Sequence, residues 1–255
     1  MQLTLRDALL RGRRRPRRMG VGSPTSYRGD GYEFVELRAY VAGDDVRRID
    51  WAATARAGDL QTRVVLEDVA LTLAAIVDTT PSMRVGQKRP LLAAADEALA
   101  AWFGAALGGD RCVRVPSDEP FVLRDALQVA RASLRRGTAL MVASDWYDLD
   151  DRDHDLLANL ARWCDCTALI ARDPWFDDLP LEGIVRLRGA EGGFMRAYIG
   201  KRERAAFAQA VREREATLHA MFERFGWRSG MLHESDGAGS LAETFGVPAR
   251  TMAVR

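Results

Sequence analysis

Three short, almost uninterrupted apolar runs constrain the fold of this chain most, at residues 70–77, 138–144 and 164–171. Each has the length of a strand, and apolar residues at nearly every position suit a strand that is buried on both faces. Segments with helical periodicity separate them, at 90–107, 123–135 and 151–163. Strands that alternate with helices predict an α/β fold with a mostly parallel central sheet and helices on both faces.

Weaker or longer elements complete this pattern. Two strand-like segments on either side of Gly192 and Gly193 predict a hairpin. Residues 201–225 predict a long, charged helix with a sparse apolar stripe. The other predicted elements are strands at 33–41, 61–66, 111–115 and 227–232, and short helices at 51–56 and 240–245.

Length and charge suit one large α/β domain with an appendage. The chain has 255 residues and a formal net charge of +1, which gives it no overall attraction to nucleic acid or membrane. We predict a basic, flexible extension at residues 1–30. A separate strand/turn/helix segment follows at 31–68 and packs on the main domain, which spans 69–255.

Six arginines crowd around Pro16 between residues 11 and 18. One interpretation is a solvated tail, and the other is docking onto anionic lipid or an acidic partner. No aromatic interleaving or helix-turn-helix pattern accompanies them, so sequence-specific recognition of nucleic acid is not expected. No apolar run approaches the roughly 20 residues that span a bilayer, and no signal peptide is recognised. We expect a cytoplasmic protein, and under the lipid-docking interpretation these arginines would make a peripheral contact to the inner membrane.

Oxygen-bearing side chains follow two of the predicted buried strands. Asp78 ends the first run, with Thr80 and Ser82 at alternate positions after it, and Asp145 ends the second. Ligands of open parallel sheets bind beyond the carboxyl ends of the strands. Carboxylates and hydroxyls there suit Mg²⁺ or Mn²⁺. The alternative is turn and helix-cap chemistry, which uses the same residue types.

The stretch FVELRAYVAGDDVRRIDWAATAR, at residues 34–56, resembles the signature of the bacterial domain-of-unknown-function family fifty-eight. The segments IVDTTPSM, MVASDWYD, ARDPWFDDLP and LAETFG support the resemblance. It covers nearly the whole chain from Gly29 onward. Members of this family often occur with MoxR-type AAA+ ATPases, and the family implies a von Willebrand factor A-like fold.

The resemblance also implies a metal-ion-dependent adhesion site. Asp78, Thr80 and Ser82 match its D-x-S-x-S loop, with threonine replacing the first serine and keeping the hydroxyl. Asp145 matches the aspartate of its third loop. The threonine of its second loop has no counterpart, because Ser117 is the only hydroxyl in the corresponding stretch.

Arginines alternate with aspartates and a tryptophan in the signature segment. Arginine and carboxylate can pair bidentately, which fixes geometry. One interpretation is an intramolecular network that clamps this segment onto the main domain, and the other is a surface offered to a partner. Either Asp44 or Asp45 can cap the short helix at 51–56. The candidate partner-binding residues are Arg38, Asp44, Asp45, Arg47, Arg48, Asp50 and Trp51.

The leading hypothesis is a non-catalytic adaptor that binds a partner's carboxylate through the metal of the adhesion-like site. The resemblance implies a MoxR-type AAA+ ATPase as one partner, in the assembly or activation of a client protein complex. The name MoxR comes from methanol oxidation, so maturation of a dehydrogenase is one compatible client pathway.

Two other functions compete with the adaptor. The arginine cluster alone would make a peripheral membrane or nucleic-acid binding protein. An Asp after a buried strand is also typical of phosphotransferases that use it as a nucleophile. Those enzymes need a second acid two residues later, where this chain has Thr80, and the sequence has no P-loop and no G-x-S-x-G motif. We therefore do not expect an enzyme.

Overall fold

The computed structural model describes residues 4–14, 32–41, 46–67, 70–172, 175, 179, 181–190 and 192–248. The chain divides into two compact units, Arg18–Ala70 and a larger one formed by Met1–Arg17 with Leu71–Arg255. Within the described residues the helices are α1 (Leu5–Arg14), α2 (Trp51–Ala57), α3 (Leu91–Gly104), α4 (Leu123–Ser133), α5 (His154–Trp163), α6 (Lys201–Phe225) and α7 (Gly237–Thr244). The strands are β1 (Tyr32–Ala39), β2 (Gln61–Glu67), β3 (Thr72–Val77), β4 (Arg111–Arg114), β5 (Ala139–Ser144), β6 (Asp165–Ala171), β7 (Gly183–Arg188), β8 (Phe194–Ile199) and β9 (Arg228–Leu232).

A five-stranded parallel sheet forms the centre of the larger unit, in the order β4-β3-β5-β6-β9. This confirms the predicted α/β class. The three apolar runs become β3, β5 and β6, three adjacent strands in the middle of the sheet. The weaker run becomes the edge strand β4, which has no buried residue. Continuous burial therefore distinguishes the central strands from the edge.

Alternate side chains of each central strand point into separate cores on the two faces of the sheet. On β3, Leu73 and Ala75 belong to one core, and Ala74 and Ile76 to the other. Helices α1, α3 and α7 cover the first face, while α4, α5 and the C-terminal half of α6 cover the second. The period-2 alternation of a strand thus requires apolar residues at every position, because both faces are covered.

The strand order reverses direction between β3 and β5. From β3 the chain crosses to β4 on one side, and from β5 it proceeds to β6 and then β9 on the other. Connections that leave neighbouring strands in opposite directions open a crevice at the carboxyl ends of those strands, which is where ligands of open α/β sheets bind. This topological switch point lies beyond Val77 and Ser144.

Strands β7 and β8 form an antiparallel hairpin between β6 and α6, as the sequence predicts. Both Gly192 and Gly193 have positive φ values, of 104° and 81°. A side chain would strain this backbone, which explains the glycine pair at the turn.

Helix α1 belongs to the larger unit and is packed into its core. Leu5 and Leu9 are buried there, and Arg6 pairs with Asp110. Asp110 also accepts a hydrogen bond of 2.6 Å from the amide of Leu71, at the start of the sheet. The structure therefore differs from the predicted flexible extension over residues 4–14, since an amphipathic helix with two buried leucines gains stability by docking. Residues 15–31 lie outside the described part of the chain.

We expect Leu9→Ala to lower the free energy of unfolding by about 2–5 kcal/mol, because it removes a fully buried side chain and leaves a cavity. Urea denaturation of the purified protein measures this loss. Leu10→Ala is the matched control, since Leu10 is only half-buried on the same helix. Equal stabilities of the Leu9→Ala variant and the wild type would show that α1 does not contribute to the core.

The smaller unit consists of the antiparallel pair β1–β2 and helix α2. Asp50 caps α2, because its side chain accepts a hydrogen bond of 2.9 Å from the amide of Ala53. Gly58 ends the helix in the left-handed conformation, with φ of 78°. The cap is thus Asp50 and not Asp44 or Asp45, which lie outside the described residues. The residue directly before the first helical turn has the right position for an N-cap.

Candidate functional site

Two acidic residues lie at the switch point, where the sequence predicts that they meet. Asp78 directly follows β3, and Asp145 directly follows β5. The two strands pair in parallel up to Val77 and Ala143, and the Asp78 amide donates a 2.9 Å hydrogen bond to the carbonyl of Ala143. The register therefore brings both strand ends to the same edge of the sheet.

The Asp78 carboxylate is buried, with 1% of the residue exposed, and three donors surround it. Its Oδ1 accepts from the amide of Thr80 at 2.8 Å and from the Thr80 hydroxyl at 2.6 Å. Its Oδ2 accepts from the hydroxyl of Ser144 at 2.6 Å. The three donors satisfy the buried carboxylate and orient the loop that follows β3.

The hydroxyls of this loop have a defined hydrogen-bond direction. Thr80 has a single hydroxyl hydrogen, which it donates to Asp78. The 2.9 Å contact between the hydroxyl oxygens of Thr80 and Ser82 therefore requires Ser82 to donate. The Thr80 hydrogen points to Asp78 and the Ser82 hydrogen to Thr80, so the lone pairs of Ser82 are left for a ligand.

Burial raises the pKa of Asp78 above its usual value. Hydrogen bonds from Ser144 and Thr80 oppose this rise without cancelling it, and repulsion by the Asp145 carboxylate adds a smaller rise. The carboxylates of Asp78 and Asp145 are thus close enough to interact electrostatically. A positive charge between them would relieve both the repulsion and part of the desolvation cost.

We expect the stability of Asp78→Asn relative to the wild type to increase from pH 4 to pH 8 in the metal-free protein. Asp78 has a higher pKa in the folded than in the unfolded state. Below its unfolded pKa of about 3.9, Asp78 is protonated in both states of the wild type. The stability that protonated Asp78 contributes to the folded state is lost as the pH rises through the folded pKa, and the asparagine of the variant does not titrate. Each pKa unit between the folded and the unfolded state corresponds to about 1.4 kcal/mol in the free energy of unfolding.

Urea denaturation in EDTA, from pH 4 to pH 8, measures the difference between the two proteins. The exposed Asp148, on the loop after β5, provides the control variant Asp148→Asn. A wild type that is more stable than Asp78→Asn at pH 8, by the same margin as at pH 4, would contradict the raised pKa.

Trp146 holds the loop after β5 in an unusual backbone conformation. It is the one non-glycine residue with positive φ in the described part of the chain, at 61°. Its ring is buried, makes an edge contact with Phe222 at 4.7 Å, and donates through Nε1 to the carbonyl of Leu169 at 3.3 Å. A bulky residue in this region is strained, and such strain concentrates at functional sites. The packing of Trp146 thereby sets the direction in which Asp145 leaves its strand.

We refer to Asp78, Thr80, Ser82 and Asp145 together as the rim site. Their two carboxylates and two hydroxyls are hard oxygen donors, which fit Mg²⁺ or Mn²⁺ with water completing the shell. No three His, Cys, Asp or Glu side chains group into a metal site in the described part of the chain, so the hydroxyls are needed. Ser117 is exposed beyond β4. Metal binding at the rim site stays a prediction.

A cavity of about 780 Å³ opens beside the rim site, and we call it the α6 cavity. Ser82 and Asp145 form part of its wall. The rest is mostly apolar and comes from the end of β6, the β7–β8 hairpin and α6, including Ile170, Leu187 and Phe207. Its volume is typical of a ligand pocket.

The predicted partner-binding residues lie in the smaller unit. Arg38 and Arg47 are exposed, and Arg38 donates to the carbonyl of Ala39 at 3.1 Å. Asp50 is occupied as the cap of α2. Trp51 is 67% exposed, so its ring is accessible on the smaller unit. Asp44, Asp45 and the side chain of Arg48 lie outside the described residues.

Two contributors to the site are absent from the sequence prediction. Ser144 donates to Asp78, and its place before Asp145 at a strand end is a signal that could have identified it. Arg214 on α6 donates a 2.6 Å hydrogen bond to the carbonyl of Asp145, and its guanidinium lies 3.6 Å from the centre of the Tyr147 ring. A position so far along the chain gives no local signal.

Among the helices of the described ranges, none has the length and apolar composition to cross a membrane. The sequence pattern of DUF58, described as a protein of unknown function, matches residues 36–119. That range includes most of the signature segment and the loop that carries Asp78.

Uncharacterized proteins from Mycobacterium bovis and from two strains of Mycobacterium tuberculosis are 32% identical to the chain over 228 residues. The match covers 74% of this chain and 71% of each relative. No solved structure matches the chain at a significant level. The family pattern across the signature and the first rim loop, together with relatives of this coverage, places the protein in the bacterial family DUF58.

Proposed function

We propose that this protein is a non-catalytic adaptor with a von Willebrand factor A-like domain, which binds a carboxylate of a partner protein through a divalent cation at the rim site. The observation that supports it most is the convergence of two carboxylates and two hydroxyls at the switch point, beside an open cavity. This combination offers cation ligands and space for a partner at the same place.

The residues of the rim site have different roles in this proposal. Ser82 and Asp145 line the cavity and would face the ion, whereas Asp78 lies behind them and orients Thr80 and Ser82. When bound, the ion would supply an open coordination position for an oxygen of the partner. Arg214 holds the backbone of Asp145 and keeps this side chain at the rim.

The proposed partner is a MoxR-type AAA+ ATPase, and the adaptor would assist the assembly or activation of a client complex. The resemblance of the signature segment to family fifty-eight supports this choice, since its members often occur with such ATPases. Maturation of a dehydrogenase is one client process compatible with it.

Capture of a purified MoxR-type ATPase from the same organism by the immobilised full chain tests the proposal. We expect capture in Mg²⁺ and loss of most of it in EDTA or with Asp78→Ala, because EDTA removes the cation and the variant releases the loop that positions Ser82. Asp148→Ala is the control, because it also removes one negative charge but from an exposed position on the loop after β5, outside the rim site. It should bind like the wild type.

Capture that survives both EDTA and Asp78→Ala would exclude a bridge through the cation. Complete lack of capture under every condition would exclude the ATPase as the direct partner.

A further inference from the structure

The α6 cavity has a mostly apolar wall and shares Ser82 and Asp145 with the rim site. Its walls converge from the end of β6, the hairpin and the first half of α6. Leu187 and Met195 face each other across the hairpin, and both line the α6 cavity. The cavity is too large for a packing defect and has the size of a ligand pocket.

The two halves of helix α6 differ in the burial of their apolar side chains. Leu218 and Phe222 in the second half are buried in the core, and Phe222 is completely inaccessible. Phe207 and Val211 in the first half are only half-buried and face the cavity. Their spacing of four residues places them on one side of the helix. The first half of α6 therefore presents a partly exposed apolar face to the cavity.

Charged groups lie at one end of this apolar wall. Arg214 lines the cavity, and its guanidinium is fixed by the Asp145 carbonyl and the Tyr147 ring. Arg188 lines it from the hairpin. Asp145 and Glu215 also line the cavity, so its charged side chains balance, and a divalent cation at the rim site would leave a net positive charge that favours a negatively charged group.

We propose that the α6 cavity receives bulky apolar side chains of a partner segment that adjoin the acidic residue bound at the rim site. This inference rests on the proposed function and specifies the partner's recognition sequence: an Asp or Glu next to Leu- or Phe-sized residues. The acid meets the cation and Arg214, and the neighbouring side chains pack on Phe207 and Val211. An apolar side chain contributes through the area that it removes from water, which gives the contact its specificity.

Three capped tetrapeptides test this with the full chain in Mg²⁺. The first has the sequence Asp-Leu-Phe-Leu, the second Asp-Ala-Ala-Ala and the third Asn-Leu-Phe-Leu. Binding is followed through the methyl resonances of Leu187, Met195 and Val211, which report on the cavity itself. We expect the first peptide to bind about tenfold or more tightly than the second, because it buries several more methylene equivalents.

Val211→Trp fills the cavity from α6 and should weaken binding of the first peptide about tenfold or more. Ala210→Trp is the matched control, since it adds the same side chain at an exposed neighbouring position. Met195→Glu is a second variant at a partly exposed position, where a charge is tolerated by the fold but not by an apolar ligand. Neither Val211→Trp nor Met195→Glu touches the rim site, so Mg²⁺ should stabilise both like the wild type.

The outcomes separate this inference from the proposed function. Equal binding of the first peptide to the wild type, Val211→Trp and Met195→Glu would overturn the cavity inference while leaving the bridge intact. Equal binding of the Asp and Asn peptides, with loss in Val211→Trp, would support the cavity and overturn the bridge. Equal affinities of the first and second peptides would also overturn the cavity inference.

Discussion

Asp145→Asn is expected to abolish the stabilisation that Mg²⁺ or Mn²⁺ gives the wild-type protein. The variant loses the negative charge that faces the cavity and keeps the size and hydrogen-bonding oxygen of the side chain. A cation present at about 100 times its dissociation constant stabilises a folded protein by about 2.7 kcal/mol. For a unit of this size that corresponds to a rise in Tm of about 5–10 °C. Thermal unfolding with increasing Mg²⁺, monitored by circular dichroism, measures it.

The control for this prediction lies three residues further along the same loop. Asp148→Asn removes the same charge from an exposed position outside the rim site, so its Mg²⁺-dependent rise in Tm should equal that of the wild type. If Asp145→Asn and the wild type respond to Mg²⁺ alike, the rim site does not bind the ion.

Trp146→Ala is expected to cause the largest loss of stability, about 3–5 kcal/mol. The side chain is 2% exposed and contacts Phe222 and Trp227 edge-on, at 4.7 Å and 5.9 Å between ring centres. Its removal leaves a cavity in the second core and the carbonyl of Leu169 without its indole donor. Urea denaturation gives the free energy of unfolding of this variant.

Trp146→Gly provides the sharper comparison, because it has the same lost side chain and a backbone that accepts positive φ. Residue 146 has φ of 61°, a conformation that costs alanine about 1 kcal/mol more than glycine. We therefore expect the glycine variant to be more stable than the alanine variant, the reverse of the usual order. An alanine variant that is more stable than the glycine variant would show that the loop relaxes to negative φ.

The Mg²⁺ response of Trp146→Gly tests whether Trp146 also positions Asp145, apart from its contribution to stability. If Trp146 directs Asp145 to the rim, Trp146→Gly should lose the response to Mg²⁺ even where it remains folded. The reason is that a glycine there no longer restricts the loop to one conformation.

Local patterns predicted most elements within a few residues. Helix α6 spans the predicted residues, since its charged surface and a Gly after its last turn define both ends. Helix α7 begins three residues before its predicted start, at Gly237. A glycine-rich first turn has low helix propensity, which explains the late predicted start. Asp236 nevertheless caps this turn. Glycine is required at 237 because a Cβ there would lie only 1.8 Å from the carbonyl oxygen of Ala94 on α3. Close packing of two helices, which no local pattern contains, decided that boundary.

The sequence by itself determined the α/β class, the strand ends that carry Asp78 and Asp145, and the order of hydroxyls on the first loop. These follow from short-range patterns of apolar residues and turns, which depend on neighbours in the chain. Only the tertiary structure decided that Ser144 donates to Asp78, that Arg214 holds Asp145, and that a cavity opens beside them. Strand order and helix packing bring together residues that are distant along the chain, so their contacts arise from the fold and not from any local segment.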